Sequence, residues 1–274
     1  MGYNKVLVAD SVVQRLIENQ GIYSFMNRSF DGLVQQGASA VSVPNIAVPT
    51  VKKGSVGTPL VDATRAAAHG STNMANVPLT PYAVPLAEEV LNQWETNGNL
   101  IKEYLNSASM VLQQQFDIDA ITAAQTTTQV SAFAGASMAW ADVIAIMKTF
   151  DLNKVPKAGR VIVIDANLAD QFFSIDVVKS AMAFNQQFLS TGTMLNIMGM
   201  KFFVSGLVPQ VSVAAVLKYN MVGIYGPGLA FILSRMGELK QVWDTVNLQN
   251  INDMLAYAGV SLFDPKFAVV KYQA

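Results

Sequence analysis

Few residues in this chain of 274 have the type and spacing that catalysis needs. There is no cysteine and a single histidine, His69, so neither a thiolate nucleophile nor a zinc site has ligands to draw on. His69 stands in Ala66-Ala67-Ala68-His69-Gly70, where a general base would lack the rigid support that proton transfer requires. No Gly-x-Ser-x-Gly elbow is present. Asp117 and Asp119 are two apart on a predicted helix and point about 200° away from each other, so they cannot form an acid–base pair by themselves. Asp165 and Asp170 flank a predicted strand-to-helix corner. A metal could sit there, but a helix cap made by Asp165 is the simpler reading. Gly223-Ile224-Tyr225-Gly226-Pro227-Gly228 has the wrong glycine spacing for a phosphate cradle, and Pro227 removes a donor, so it reads as a turn. The sequence therefore offers no catalytic, cofactor-binding or metal-ligating set, and no cofactor is expected.

The elements that would have to position a site are more legible. Residues 99–125 carry the clearest helical period. Ile101, Leu105, Ala108, Leu112 and Phe116 share one face, and Lys102, Asn106, Gln113 and Asp117 the opposite one. At 1.5 Å per residue such a helix is roughly 40 Å long. Asp119 projects onto the apolar face, where a carboxylate needs a hydrogen-bonding or cationic partner. It is expected to be a buried, paired structural anchor. A second helix is predicted from Ala139 to Leu152, ended by Pro156 and Gly159, and shorter ones over Ala166–Phe173 and Asp176–Phe184. Strands are expected at Arg160–Ile164, Lys201–Ser205, Val213–Tyr219, Met221–Tyr225 and Phe267–Tyr272 and longer ones at Leu229–Leu233 and Leu239–Val246, with a turn at Asn220 and a linker over Thr126–Met138. A short helix is expected at Ser11–Glu18. Helices mixed with separated strands give an α+β class.

Residues 41–85 form a block of their own. Two extended arms, the second carrying Pro78, Pro81 and Pro85, enclose a turn-rich basic stretch that begins Lys52-Lys53-Gly54-Ser55. Proline at this density excludes a helix and a central strand. An arm with so little apolar content at its tip cannot bury itself and must lie on something else, such as a neighbouring subunit. Lys52, Lys53 and Arg65 are the candidate inter-subunit contacts. They could pair with acidic groups on another copy or serve ordinary solubility.

About half of the chain, 51%, is hydrophobic and only 14% is charged, against a usual charged share of about a quarter. That composition fits either a large packed core or a surface mostly covered by partners. A net charge of −1 gives no global case for nucleic-acid binding. Met1 to Asp10 lacks a signal-peptide pattern, and Lys218, Asn220 and Pro227 interrupt the most apolar stretch, so no membrane association is expected.

The order of these segments resembles the major capsid (coat) protein of tailed bacteriophages, whose fold is shared with herpesvirus capsids. The resemblance covers nearly the whole chain. It rests on Phe116-Asp117-Ile118-Asp119-Ala120-Ile121 ending a long helix, Val155-Pro156, and Gly159-Arg160-Val161-Ile162-Val163-Ile164-Asp165. It continues through Gly199-Met200-Lys201-Phe202-Phe203-Val204-Ser205 with Leu207-Val208-Pro209, and Gly223-Ile224-Tyr225-Gly226 before Ala230-Phe231. The family often places proline after the first A-domain strand, where this chain has Asp165-Ala166. The resemblance implies an N-terminal arm at 1–40, an E-loop extension at 41–85, and a P-domain with the spine helix at 86–136. It then implies an A-domain at 137–235 and a return to the P-domain at 236–274.

The family's function, on this resemblance, is to self-assemble as pentamers and hexamers into an icosahedral shell around double-stranded DNA. The chain is then a structural protein of the virion capsid rather than an enzyme, assembled in the host cytoplasm and touching DNA nonspecifically. A portal and a separate scaffolding protein are the other implied partners, since residues 1–40 leave no room for a fused scaffolding domain. Some members crosslink an E-loop lysine to a neighbour's asparagine; Lys52 and Lys53 lie in the right segment, but no crosslink is predicted. The alternatives are an encapsulin-like compartment of the same fold, a soluble α+β enzyme using Asp165 and Asp170, and a tail or adhesin subunit.

Overall fold

A computed structural model describes residues 21–31, 39–46, 72–89, 99–184, 195–246 and 249–274. Its organising element is β5 (Arg160–Asp165), buried at every residue, as an unbroken β-branched run requires when both faces of a sheet are covered. β10 (Asn220–Tyr225) pairs with it antiparallel and β7 (Met200–Ser205) parallel. β13 (Ala268–Tyr272) lies beyond β10, followed by β4 (Val130–Ala132) in parallel, while β6 (Leu195–Ile197) closes the other edge. The six-stranded order is β4-β13-β10-β5-β7-β6.

The pleat of β5 divides two cores. Ile162 and Ile164 point into one with Val143, Ile146 and Phe150 of α2 (Trp140–Leu152), Phe172 of α3 (Ala169–Ser174) and Val178 of α4 (Asp176–Phe184). Val161 and Val163 point into the other with Leu112, Phe116, Ala120 and Ile121 of α1 (Asn99–Gln125). Gly223 of β10 lets α2 approach closely. A Cβ there would lie 2.5 Å from Ile146 Cγ2 and 3.1 Å from the Phe150 ring.

The same side of α1 also receives a second sheet, ordered β11-β12-β3. Its strands are β11 (Leu229–Asp244), β12 (Gln249–Leu262) and β3 (Thr80–Glu89). β3 is an edge strand, which is where Pro81 and Pro85 can be tolerated. β1 (Ala40–Ile46) and β2 (Thr72–Pro78) form an antiparallel hairpin from Ala40↔Pro78 to Ile46↔Thr72. Its base rests on β11 through Val41, Val43, Val77, Ala230 and Ile232.

The α+β class and the long helix agree with the sequence, the helix at 27 residues from Asn99 to Gln125. Several strands differ. Val213–Tyr219 is not one strand but a hairpin, β8 (Val211–Val213) and β9 (Val216–Lys218). Its turn is Ala214-Ala215, both with positive φ (51° and 65°). Asn220 begins β10 rather than making the turn. Leu229–Leu233 and most of Leu239–Val246 belong to one strand, β11, which ends at Asp244 and has register shifts between Leu233 and Glu238. β12, the centre of its sheet, has no counterpart among the expected strands, and the Thr126–Met138 linker contains β4. β11 spans residues 235 and 236, where its pairing with β12 shifts register. The expected Ser11–Glu18 helix lies outside the described residues.

Candidate functional site

The carboxylate that α1 buries is Asp117, not Asp119. A single-faced projection puts Asp117 with the exposed groups, but it is 7% exposed. It accepts the Tyr23 backbone N–H at 3.0 Å and also that of Ile22. The reason is a second covering. Residues 21–31, with a 3-10 turn at Ile22–Phe25, cross the flank of α1 and turn its supposed outer face inward. Desolvation is the dominant effect on Asp117 and raises its pKa from 3.8 to about 6, against the two backbone hydrogen bonds that lower it.

Asp119 is half-buried rather than buried. It accepts from the Tyr82 hydroxyl and, at 2.9 Å, from Gln115 Nε2. Burial first, then the Asp119 hydrogen bond and charge, push the Tyr82 phenol well above the ordinary tyrosine range. These groups line an open cleft of about 510 Å³ between α1, β3 and β12, together with Thr80, Thr122 and Ser261.

Several other charged groups among the described residues hold the scaffold together. Asp165 Oδ1 accepts from Asn167 N at 2.9 Å and caps the 3-10 turn that follows β5. Arg160, 3% exposed, closes the end of α2 by donating to Asp151 Oδ1 at 2.7 Å and to the Pro156 carbonyl at 3.0 Å. Asp142 is fully buried at the start of α2 and accepts from Ala134 N at 2.9 Å and Ala139 N at 3.0 Å. Lys271 of β13 reaches it at 3.4 Å. Sequence reasoning passed over this pair, although a lysine inside Ala268-Val269-Val270-Lys271-Tyr272 and an aspartate in the first turn of a helix were the available signals. Among the described residues no group of three His, Asp or Glu side chains could hold a metal ion, and no helix is long and apolar enough to cross a membrane. Lys52, Lys53, Arg65 and His69 lie outside the described residues.

No family model matches the sequence, and no curated protein matches it. Solved structures do. A chain from Mycobacterium phage Che8 superposes with a TM-score of 0.66 at 16% identity, covering 92% of this chain and 91% of that one. The capsid of an empty GTA particle gives 0.62 at 11% identity, with 91% of each chain covered. The chain has the major capsid protein fold of tailed phages. A virus-like particle from Pyrococcus furiosus matches as well, with a TM-score of 0.60, 7% identity, and 96% of this chain and 97% of that one covered.

Among the described residues several large apolar side chains lie exposed. Val216 and Leu217 stand on the β8–β9 hairpin, 53% and 64% exposed. Val242, Trp243 and Val246 lie at and just beyond the far end of β11, and Met110 and Val111 on the open side of α1. Clustered exposed apolar groups of this kind are where protein–protein contacts form.

Proposed function

We propose that this chain is a structural shell subunit, the major capsid protein of a tailed phage, which assembles as pentamers and hexamers around double-stranded DNA. The observation that carries this reading is the end-to-end likeness to capsid structures, with nine-tenths of both chains covered. The partition into an arm at 1–40, an E-loop at 41–85, a P-domain at 86–136 with a return at 236–274, and an A-domain at 137–235 belongs to the same proposal. So does the absence of catalysis. In this layout the β1–β2 hairpin carries residues 47–71 toward a neighbouring copy. Lys52, Lys53 and Arg65 contact acidic groups there, and Asp119 fixes β3 to the spine helix. Assembly takes place in the host cytoplasm with a portal and a separate scaffolding protein, and DNA is met nonspecifically through scattered basic groups.

Negative-stain microscopy of the protein, expressed alone and with its neighbouring genes, tests the reading. Closed shells, sheets or tubes are expected; a uniform monomer or dimer under every condition would overturn it. Deleting residues 53–71 leaves the Ile46↔Thr72 pair intact. It should therefore abolish shells while preserving a folded subunit, and normal shells from that variant would refute the contact role of the arm.

The likeness to the Pyrococcus furiosus particle favours a second reading, an encapsulin-like compartment. Shells that hold a cargo enzyme and no DNA would support it over the phage reading.

A further inference from the structure

We infer that residues 21–31 form a strap whose docking onto the spine helix and both sheets is linked to proton uptake at Asp117.

The strap touches α1 and both large sheets. Tyr23 packs its ring against Phe116 of α1 and Phe231 of β11, with centroids 6.1 and 5.3 Å away. Phe25 reaches the six-stranded sheet, where it meets Phe203 at 5.6 Å and lies under Lys201 Nζ at 4.4 Å. Its carbonyl lies so close to Gly226 that a Cβ there would approach to 2.2 Å. Asn27 N donates to the Leu229 carbonyl at 3.0 Å, and Phe231 N donates to the Asn27 carbonyl at 3.1 Å. Asp31 Oδ1 takes the next free edge donor, Leu233 N, at 2.9 Å. The strap thus substitutes for a strand on the first part of the β11 edge, with little regular structure of its own.

The contact that fixes the strap to α1 is the carboxylate of Asp117 beneath the Ile22 and Tyr23 amides. Gly21 makes room for it, since a Cβ there would stand 2.8 Å from Asp117 Oδ2. Among the described residues the charged and titratable groups around it are few. On the strap these are the Tyr23 phenol, itself raised by burial, and Arg28, which acts on that phenol, lies over the Phe231 ring and pairs with Asp31 at 2.8 Å. On β7 there is Lys201, engaged by Phe25. Asp119 points away from the strap, toward Tyr82. The faces of β11 and β12 that meet Asp117's neighbours are apolar, with Phe231, Met254 and Ala256.

With the strap in place Asp117 loses water and, among the described residues, gains no cation of its own. Undocking returns it to solvent and toward its ordinary 3.8, from about 6 when docked. The docked state therefore holds the proton more tightly, and acidification favours docking. Between about pH 7.5 and about pH 5 the docking equilibrium should shift about tenfold toward the docked form.

Hydrogen exchange with mass spectrometry on the full chain measures this directly. The readout is protection of residues 21–31 relative to residues 108–125 of α1, corrected for the intrinsic pH dependence of exchange. Wild-type protein should gain about tenfold in relative protection on going from about pH 7.5 to about pH 5, and Asp117→Asn should lose that dependence. A flat or reversed wild-type profile would overturn the inference, as would an unchanged dependence in Asp117→Asn. The wild-type series decides the matter even if the variant fails to fold.

Discussion

Replacing Lys271 with methionine isolates the contribution of one buried charge pair. Methionine retains most of the lysine stem and removes only the ammonium, so the packing of β13 is nearly preserved. The ammonium is 3.4 Å from Asp142 Oδ1 and 3.2 Å from the Ala132 carbonyl, and the Asp142 side chain is 0% exposed. Removing one partner from a buried pair costs about 3–5 kcal/mol, because the other charge stays buried. Here the separation is long and the Ala134 and Ala139 amides still serve the carboxylate, which places Lys271→Met near the lower bound, about 3 kcal/mol. For a chain of this size that lowers the melting temperature by about 6–12 °C. Denaturant titration of the purified protein, followed by circular dichroism, gives the free energy, and calorimetry gives the melting shift. Adding Asp142→Asn should restore only part of the loss. It removes the stranded charge but turns an amide donor toward one of two backbone N–H groups. The double-mutant cycle should then yield a coupling above about 1 kcal/mol. A cost below about 1 kcal/mol for Lys271→Met, with no coupling, would mean that the charges are screened and that the reasoning from burial is wrong.

Tyr82→Phe and Asp119→Ala should each cost about 1–3 kcal/mol and together less than their sum, because they break one shared hydrogen bond. The Tyr82 phenol is held protonated in the folded state. Its contribution to stability should be whole below about pH 10 and disappear as pH rises past that, and ultraviolet titration of wild type against Tyr82→Phe should find no phenolate from this residue near pH 10. Replacing Ala214-Ala215 with Asn-Gly should stabilise the chain by about 1–2 kcal/mol, since both alanines hold a left-handed backbone in a two-residue hairpin turn; an unchanged denaturation midpoint would contradict that turn geometry.

The long helix was legible because its period is strong over many turns and nothing within it competes. β5 was legible because an unbroken Val-Ile-Val-Ile run between turn signals has few other homes. β12 was not, although it is the central strand of its sheet. Gln249-Asn250-Ile251-Asn252-Asp253 has poor strand propensity, and Ala256, Ala258 and Gly259 add small residues; pairing with β11 and β3 imposes the strand from both sides. The exchange of Asp117 for Asp119 has a similar origin. A helical projection assumes one buried face, but residues 21–31 create a second, and no local pattern in α1 announces a segment 94 residues earlier in the chain. Lys271 stayed hidden for the same reason, its partner lying 129 residues away.

The place of β13 in the six-stranded sheet has a consequence for timing. β4 must wait for β13, because Val130 pairs with Val270 and Ser131 with Lys271. On a ribosome adding about 5–20 residues per second, that delay is about 7–28 s. For most of it Asp142 has been synthesised without its lysine, and for its final part β10 without one of its two neighbours. Until β13 emerges the nascent chain therefore has an open sheet edge and an acid without its cation. The arrival of β13 closes the edge and supplies the cation together.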